Sequence, residues 1–285
     1  MTEVKTLTST RPFTDLTTLT PLGDGAFGAH IDPIWTIGPK VHGGCMMAVC
    51  AAAARDAVRA EGGAAAMQPV AVSANYLTAP DPGDVRLVTT VRKRGRQVCL
   101  VDVDLLQGDR IVVSASVTLG VPDEAASRHR EPLAIDALPA EPTAAAARIT
   151  ADHPMAAIVH VAKGCELLVD PSAARFLAGE LGDPVNRMWA RPLSADEADA
   201  DTAALFAIML GDISAPVTMN RGMFGWAPTV QLTTYLRRRP APGWLRVMAS
   251  AQVIGEAWFE EDHLVLDSAG QVVVQSRQLA MVPRA

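Results

Sequence analysis

Residues 203–236 read AALFAIMLGDISAPVTMNRGMFGWAPTVQLTTYL, a small-residue apolar helix running into a strand with one carboxylate, Asp212, between them. Counting back by helical steps, Met209 and Ile208 lie three and four residues earlier and Leu205 seven earlier. A helix that reaches Asp212 therefore projects its carboxylate from an apolar stripe towards the core. Pro216 marks an end a turn later. A second reading stays open, in which the helix stops at Gly211 and Asp212 is a solvated cap. In the first reading the carboxylate sits at the helix C-terminus, where the macrodipole disfavours negative charge. It then needs hydrogen-bonding partners, and the strands downstream offer some.

Outward from this stretch, the 285 residues are 49% hydrophobic and 20% charged, enough for one large domain or two with separate cores. A net charge of −6 and a pI near 5.5 argue against partners such as nucleic acid or an anionic membrane, whose footprint is basic. A small-molecule partner fits better. Cys45, Cys50, Cys99 and Cys165 contain no C-x-x-C pair, and the first twenty residues are threonine-rich and polar, unlike a signal peptide. Reduced thiols in a cytoplasmic protein are expected. The longest apolar run, Cys45 to Ala54, stops at Arg55 at about half the length that spans a bilayer; it is read as a buried helix.

In order along the chain, residues 1–20 are a polar lead-in, and Phe27–Trp35 reads as a strand interrupted by Pro33. His42-Gly43-Gly44 opens a helix that is apolar on every face to about Val58, so other structure must wrap it. Strands follow at 70–77, 85–92, 98–106 and 111–119, joined by Pro80-Asp81-Pro82-Gly83, Gly95 and Gly108-Asp109 turns. Connections this short make an antiparallel meander. After a stretch rich in Ala, Pro and charge the pattern recurs: a strand near 187–193, the helix from Ala203, a strand to Leu236, a Pro240-Ala241-Pro242-Gly243 turn, and strands at 245–254, 257–266 and 271–282. The chain reads as an internal duplication, with an N-terminal repeat at 1–120, a connector at 121–165 and a C-terminal repeat at 166–285. One long helix wrapped by an antiparallel sheet, twice over, outlines an α+β double hotdog; a pair of unrelated α+β domains is the alternative.

Aligned on Tyr76-Leu77 and Tyr235-Leu236, Val70, Val72 and Ala74 stand opposite Thr229, Gln231 and Thr233. On the last strand, Ile111, Val113, Ala115 and Val117 stand opposite Val272, Val274, Ser276 and Gln278. One half is apolar where the other is polar, and a buried hydroxyl or amide must be hydrogen-bonded to be tolerated. A carboxylate, a hydroxyl and an amide converging in the second half suggest one working site per chain; a structural polar network is the other reading.

These residues resemble the type II acyl-CoA thioesterases, the TesB-like double-hotdog enzymes. The resemblance covers most of the chain outside residues 1–25 and the connector. It rests on His42-Gly43-Gly44, on Asn75-Tyr76-Leu77 and on the polar residues of the second half. It implies that Asp212, Thr229 and Gln278 hold the water that attacks the thioester of an acyl-CoA substrate, with no metal and no organic cofactor. Gly43 and Gly44 are the expected substrate-binding residues, their N–H groups stabilising the oxyanion. Gln231-Leu232 stands where better-known members often carry an Asp-His pair, which leaves acyl-chain preference open. A homodimer or higher homo-oligomer is expected. A non-catalytic acyl-CoA- or lipid-binding hotdog protein is the second hypothesis, and a hotdog enoyl-CoA hydratase, faintly suggested by His30-Ile31-Asp32-Pro33, is the enzymatic alternative.

Other signals are weaker. The six histidines show no metal-ligand spacing, and no serine lies in a G-x-S-x-G elbow. Cys45 reads as a small buried thiol, not a nucleophile. Arg92-Lys93-Arg94-Gly95-Arg96 and Arg237-Arg238-Arg239 are either solvated strand ends or contacts for the phosphates of coenzyme A.

Overall fold

Two apolar helices, each followed by a meander of strands, fold against one continuous antiparallel sheet. The computed structural model describes residues 9–150, 153, 155–197 and 199–284. Residues 1–8 of the lead-in and 151, 152 and 154 of the connector lie outside the described residues.

The first half comprises α1 (Pro12–Thr17), β1 (Thr20–Gly23), β2 (Ala26–Ile31), β3 (Thr36–Ile37), β4 (Lys40–Val41) and α2 (Gly43–Ala60). It continues with β5 (Gln68–Tyr76), β6 (Gly83–Arg94), β7 (Cys99–Gln107) and β8 (Arg110–Gly120). A short strand, β9 (Ala147–Arg148), lies in the expected connector. The second half comprises β10 (Cys165–Val169), β11 (Val185–Pro192), α3 (Ser194–Glu197) and α4 (Ala200–Met209). It ends with β12 (Thr229–Leu236), β13 (Leu245–Ser250), β14 (Trp258–Leu266) and β15 (Val272–Met281).

The thirteen-stranded sheet runs β1-β2-β6-β7-β8-β5-β12-β15-β14-β13-β11-β10-β9. β5 and β12 meet at its centre, Val72 beside Thr234 and Ala74 beside Leu232. Outward from that seam, β8, β7, β6 and β2 on one side answer β15, β14, β13 and β11 on the other. This is the double hotdog, with the duplication written into strand order.

α2 begins where His42 Nδ1 accepts the N–H of Cys45 at 3.3 Å, an N-cap that satisfies one orphan amide. Every residue from Gly44 to Ala54 is buried, because β5 to β8 lie over one side and α4 and α1 over the other. The small side chains permit this close approach: a Cβ on Gly44 would lie 2.4 Å from the carbonyl oxygen of Met209. α4 is capped by Asp199, which accepts the Thr202 N–H at 2.8 Å. It ends at Met209 and tightens into a 3₁₀ turn over Leu210–Asp212. Asp212 thus extends the helical direction past Gly211 without being either mid-helix or a solvated cap.

The structure corrects one alignment made from the sequence. Tyr76 points inward, its hydroxyl donating to the Gly43 carbonyl at 2.9 Å, whereas Tyr235 is exposed and Leu236 is buried. Matching β8 to β15 through their shared register instead pairs Val72 with Leu232, Ala74 with Thr234 and Tyr76 with Leu236. Pro69, not Val70, then corresponds to Thr229: Pro69 faces Leu119 on β8, and Thr229 faces Ala280 on β15. Each strand carries a bulge just after that residue, and one extra residue reverses which side chains point inward. Gln231 consequently faces solvent, and Thr233 bonds Ser73 across the seam at 3.0 Å. The last-strand correspondence of Val113, Ala115 and Val117 with Val274, Ser276 and Gln278 stands unchanged.

Part of the connector is packed. Ile135 and Leu138 join Trp189, Trp244 and Leu266 in a second apolar cluster, fastened by Trp189 Nε1 donating to the Pro139 carbonyl at 2.8 Å.

Candidate active site

Where α2 begins and α4 ends, the two halves of the chain touch. The Asp212 side chain is 11% exposed and lies against the N-terminus of α2, where the Gly44 N–H favours its charged form. A Cβ on Gly43 would lie 2.4 Å from Asp212 Oδ2, so only glycine leaves room for the carboxylate there. His42 stands on its other side, Nε2 3.9 Å from Oδ2 and 2.8 Å from the Asp212 carbonyl oxygen. Because Nδ1 accepts from Cys45, the hydrogen bonds assign the ring proton to Nε2, which donates to that carbonyl. Burial raises the Asp212 carboxyl above its ordinary range, opposed by His42 and by the Gly44 N–H. A carboxylate with a raised pKa is a stronger base than an exposed one, and the helix N-terminus keeps its charged form accessible.

Thr229 and Gln278 are in direct contact, the threonine hydroxyl donating to Gln278 Oε1 at 2.6 Å. That bond orients the amide: its oxygen is taken and its NH₂ is left to meet another acceptor. The bulge in β12 is what turns Thr229 inward to reach β15. The Asp212 cluster and the Thr229–Gln278 pair are joined through Ser276, one inward position from Gln278 on β15. Its hydroxyl donates to the Gly211 carbonyl at 2.6 Å and so seats the turn that carries Asp212. One inward step along a strand is about 7 Å. The structure thus brings Gly43 and Gly44 against Asp212, and Thr229 against Gln278, with Ser276 linking the second strand pair to the turn that carries Asp212.

Reasoning from the sequence missed Glu261 and His263. Both are 1% exposed on β14, where they sit beside Gln278 and Ser276 respectively. Ser214 donates to Glu261 Oε1 at 2.7 Å and lies 3.0 Å from His263 Nε2. Their signal was present in the alternation of Phe259, Glu261, His263 and Val265, which puts two ionisable residues on the inward face of a strand. Tyr76, quoted from the sequence only within the Asn75-Tyr76-Leu77 motif, donates to the Gly43 carbonyl, and burial pushes its phenol well above the usual range.

The discarded candidates have structural explanations. Cys45 is buried against Met209, Sγ 3.6 Å from Sδ, and burial raises its thiol well above the ordinary value. Asp32 caps the turn at Pro33–Trp35 through the Ile34 N–H, and His30 lies exposed beside Asp84. In the basic clusters, Arg92 pairs with Asp102, while Arg237 and Arg238 line an open surface groove with Arg130. Among the described residues, no group of three or more His, Cys, Asp or Glu is arranged to hold a metal ion.

Comparison with known proteins gives concordant results. Residues 31–120 match a model of the acyl-CoA thioesterase N-terminal domain, and residues 136–282 a model of the acyl-CoA thioesterase C-terminal domain. An uncharacterized protein of Mycobacterium tuberculosis (strain H37Rv) is 46% identical over 270 residues, covering 90% of this chain and 91% of its own. A "putative thioesterase II" of Thermobifida fusca superposes with a TM-score of 0.81 at 26% identity, covering 98% of this chain and all of the other. A tesB protein of Mycobacterium avium subsp. paratuberculosis shares the fold, with a TM-score of 0.73 at 18% identity over 95% of this chain and 98% of its own.

Proposed function

The chain belongs to the acyl-CoA thioesterase family, and on that premise we propose that it hydrolyses a fatty or other acyl-CoA to free acid and coenzyme A with a water activated in the second half. The observation that carries the reading is the Thr229–Gln278 hydrogen bond at 2.6 Å, in the same half of the chain as a buried carboxylate at a helix N-terminus.

In this mechanism the Gln278 NH₂ donates to the water oxygen, while a lone pair on Thr229 Oγ1 accepts one of its protons. Asp212 takes the other proton as the water oxygen bonds to the thioester carbonyl carbon. The Gly44 N–H favours the charged form of Asp212. The Gly43 N–H, at the first helical position where no intrahelical acceptor exists, is assigned to the carbonyl oxygen as it gains charge. When the tetrahedral intermediate collapses the C–S bond breaks, and the proton on Asp212 passes to the departing sulfur. The four cysteines are free and buried, which fits a cytoplasmic setting.

The test is release of coenzyme A thiol from acyl-CoAs of short, medium and long chain, with binding measured in parallel. We expect turnover of at least one chain-length class. Binding of an acyl-CoA with no thiol released from any of them would make the chain an acyl-CoA-binding protein instead.

A further inference from the structure

We propose that Glu261 is a positioning residue for the hydrolysis: through Ser214 and Val217 it holds the segment that follows Asp212, and only its ionised form does so fully. The inference rests on the proposed thioesterase reading for its kinetic consequence, but not for its structural one.

Among the described residues two groups hydrogen-bond to the Glu261 oxygens, and His263 Nε2 lies 3.4 Å from Oε1. Ser214 Oγ donates to Oε1 at 2.7 Å and the Val217 N–H donates to Oε2 at 2.9 Å. Both donors belong to the Asp212–Val217 segment, whose other end is seated by the Ser276 bond to Gly211. The turn carrying Asp212 is therefore clamped on both flanks from adjacent strands. A carboxylate accepts both donors at once; a carboxylic acid carries a proton that must face one of them. His263 completes the arrangement, with Nε2 3.0 Å from Ser214 Oγ; with the serine proton committed to Glu261, the ring proton on Nε2 donates to the serine. His263 Nδ1 is buried without a partner among the described residues.

The first half supplies an internal control. β7 meets β8 as β14 meets β15, so Val101 and Val103 occupy the places of Glu261 and His263. A hotdog half packs with valines there, so the buried acid serves something peculiar to the second half. The peculiar feature it touches is the segment bearing Asp212. The charged and titratable groups around it are Asp212 from the turn, His263 on the same face of its own strand, His42 beyond His263, and Asp262, next along β14 but on the opposite face and paired with Arg277; Gln278, beside it on β15, is neutral. Burial first, then Asp212 and Asp262, push Glu261 up to about 7, against the pull of the Val217 and Ser214 hydrogen bonds. Burial holds His263 down to about 3, so the imidazole stays neutral throughout the working range. Glu261 is thus a buried member of this network whose charge changes near neutrality.

Two measurements on Glu261→Gln test this. The substitution is close to isosteric, and its amide oxygen can still accept from Val217, so the fold is expected to survive. Hydrogen exchange of residues 213–217 at fixed pH above 7 should be faster than in the wild type by about tenfold or more, a local opening distinct from global unfolding. Ser214→Ala, which removes one of the two donors, should give a smaller increase. In the kinetic arm, wild-type kcat should fall as pH drops through about 7, and that limb should vanish in Glu261→Gln, with kcat lowered and KM little changed. Unchanged exchange protection in both variants would overturn the inference, whatever the chain hydrolyses. Altered exchange with a wild-type acid limb would overturn its kinetic part. A wild type that releases no thiol while the exchange result holds would count against the thioesterase proposal alone.

Discussion

The two halves of the sheet use one framework for different ends. At matched inward positions the first half presents Pro69, Ala74, Val101, Val103, Ala115 and Val117, and the second presents Thr229, Thr234, Glu261, His263, Ser276 and Gln278. The difference does not make the second half more stable. A buried hydrogen bond returns about 1 kcal/mol net, while an unsatisfied buried polar group costs about 1–3, and both Thr234 Oγ1 and His263 Nδ1 lack partners among the described residues. The first half shows what this sheet looks like when packing alone is asked of it; the second departs from that pattern where Asp212 and its supports require polar neighbours.

Moving residues between the halves can break the comparison. Gln278→Val imports the first half's residue, and with Thr229→Ala it removes the pair proposed to orient the water. Each change should lower kcat by about tenfold or more, and the double should lower it little further than the larger single and well short of their product, because the two side chains are hydrogen-bonded and act as a unit. Strict multiplicativity measured by a double-mutant cycle would mean they act separately. The reverse exchange, Val117→Gln, places an amide in an apolar half with no Thr229 to meet it. It should destabilise by about 1–3 kcal/mol in denaturant titration and add no activity. A neutral effect would show that the first half tolerates polarity freely. Ser276→Ala imports Ala115 and removes one bond to the Asp212 turn. Its expected cost is smallest, about 1 kcal/mol, with kcat lowered only a few-fold; a wild-type kcat would show that the Gly211 anchor is dispensable.

Much of this was legible in the residues. The all-apolar helix from Gly43, the short Pro-x-Pro-Gly turns and their recurrence specify two wrapped helices; Thr229 and Gln278 lie on the strands expected of them, while Asp212 lies in the 3₁₀ turn just past the end of α4. What was not legible follows from local geometry. A β-bulge leaves no reliable mark in sequence, so the match of Tyr76 to Tyr235 slipped by one residue and put Gln231 and Thr233 on the wrong face. The partners of a buried acid come from far along the chain: Glu261 is read by Ser214, 47 positions away. The strand pattern alone shows it facing inward, not what it holds.

Asp212 is the most direct point of attack. Its folded pKa is raised above the unfolded value, so its carboxyl adds stability below about pH 4, and this is lost as pH rises through the folded pKa. At neutral pH the buried charge is a cost that Asp212→Asn relieves, and the melting temperature should be unchanged or higher. The deciding measurement is steady-state thiol release by folded Asp212→Asn from the acyl-CoA that the wild type turns over best. The account predicts a fall in kcat of about 10²-fold or more, the scale of losing a general base. Release at the wild-type rate would contradict it.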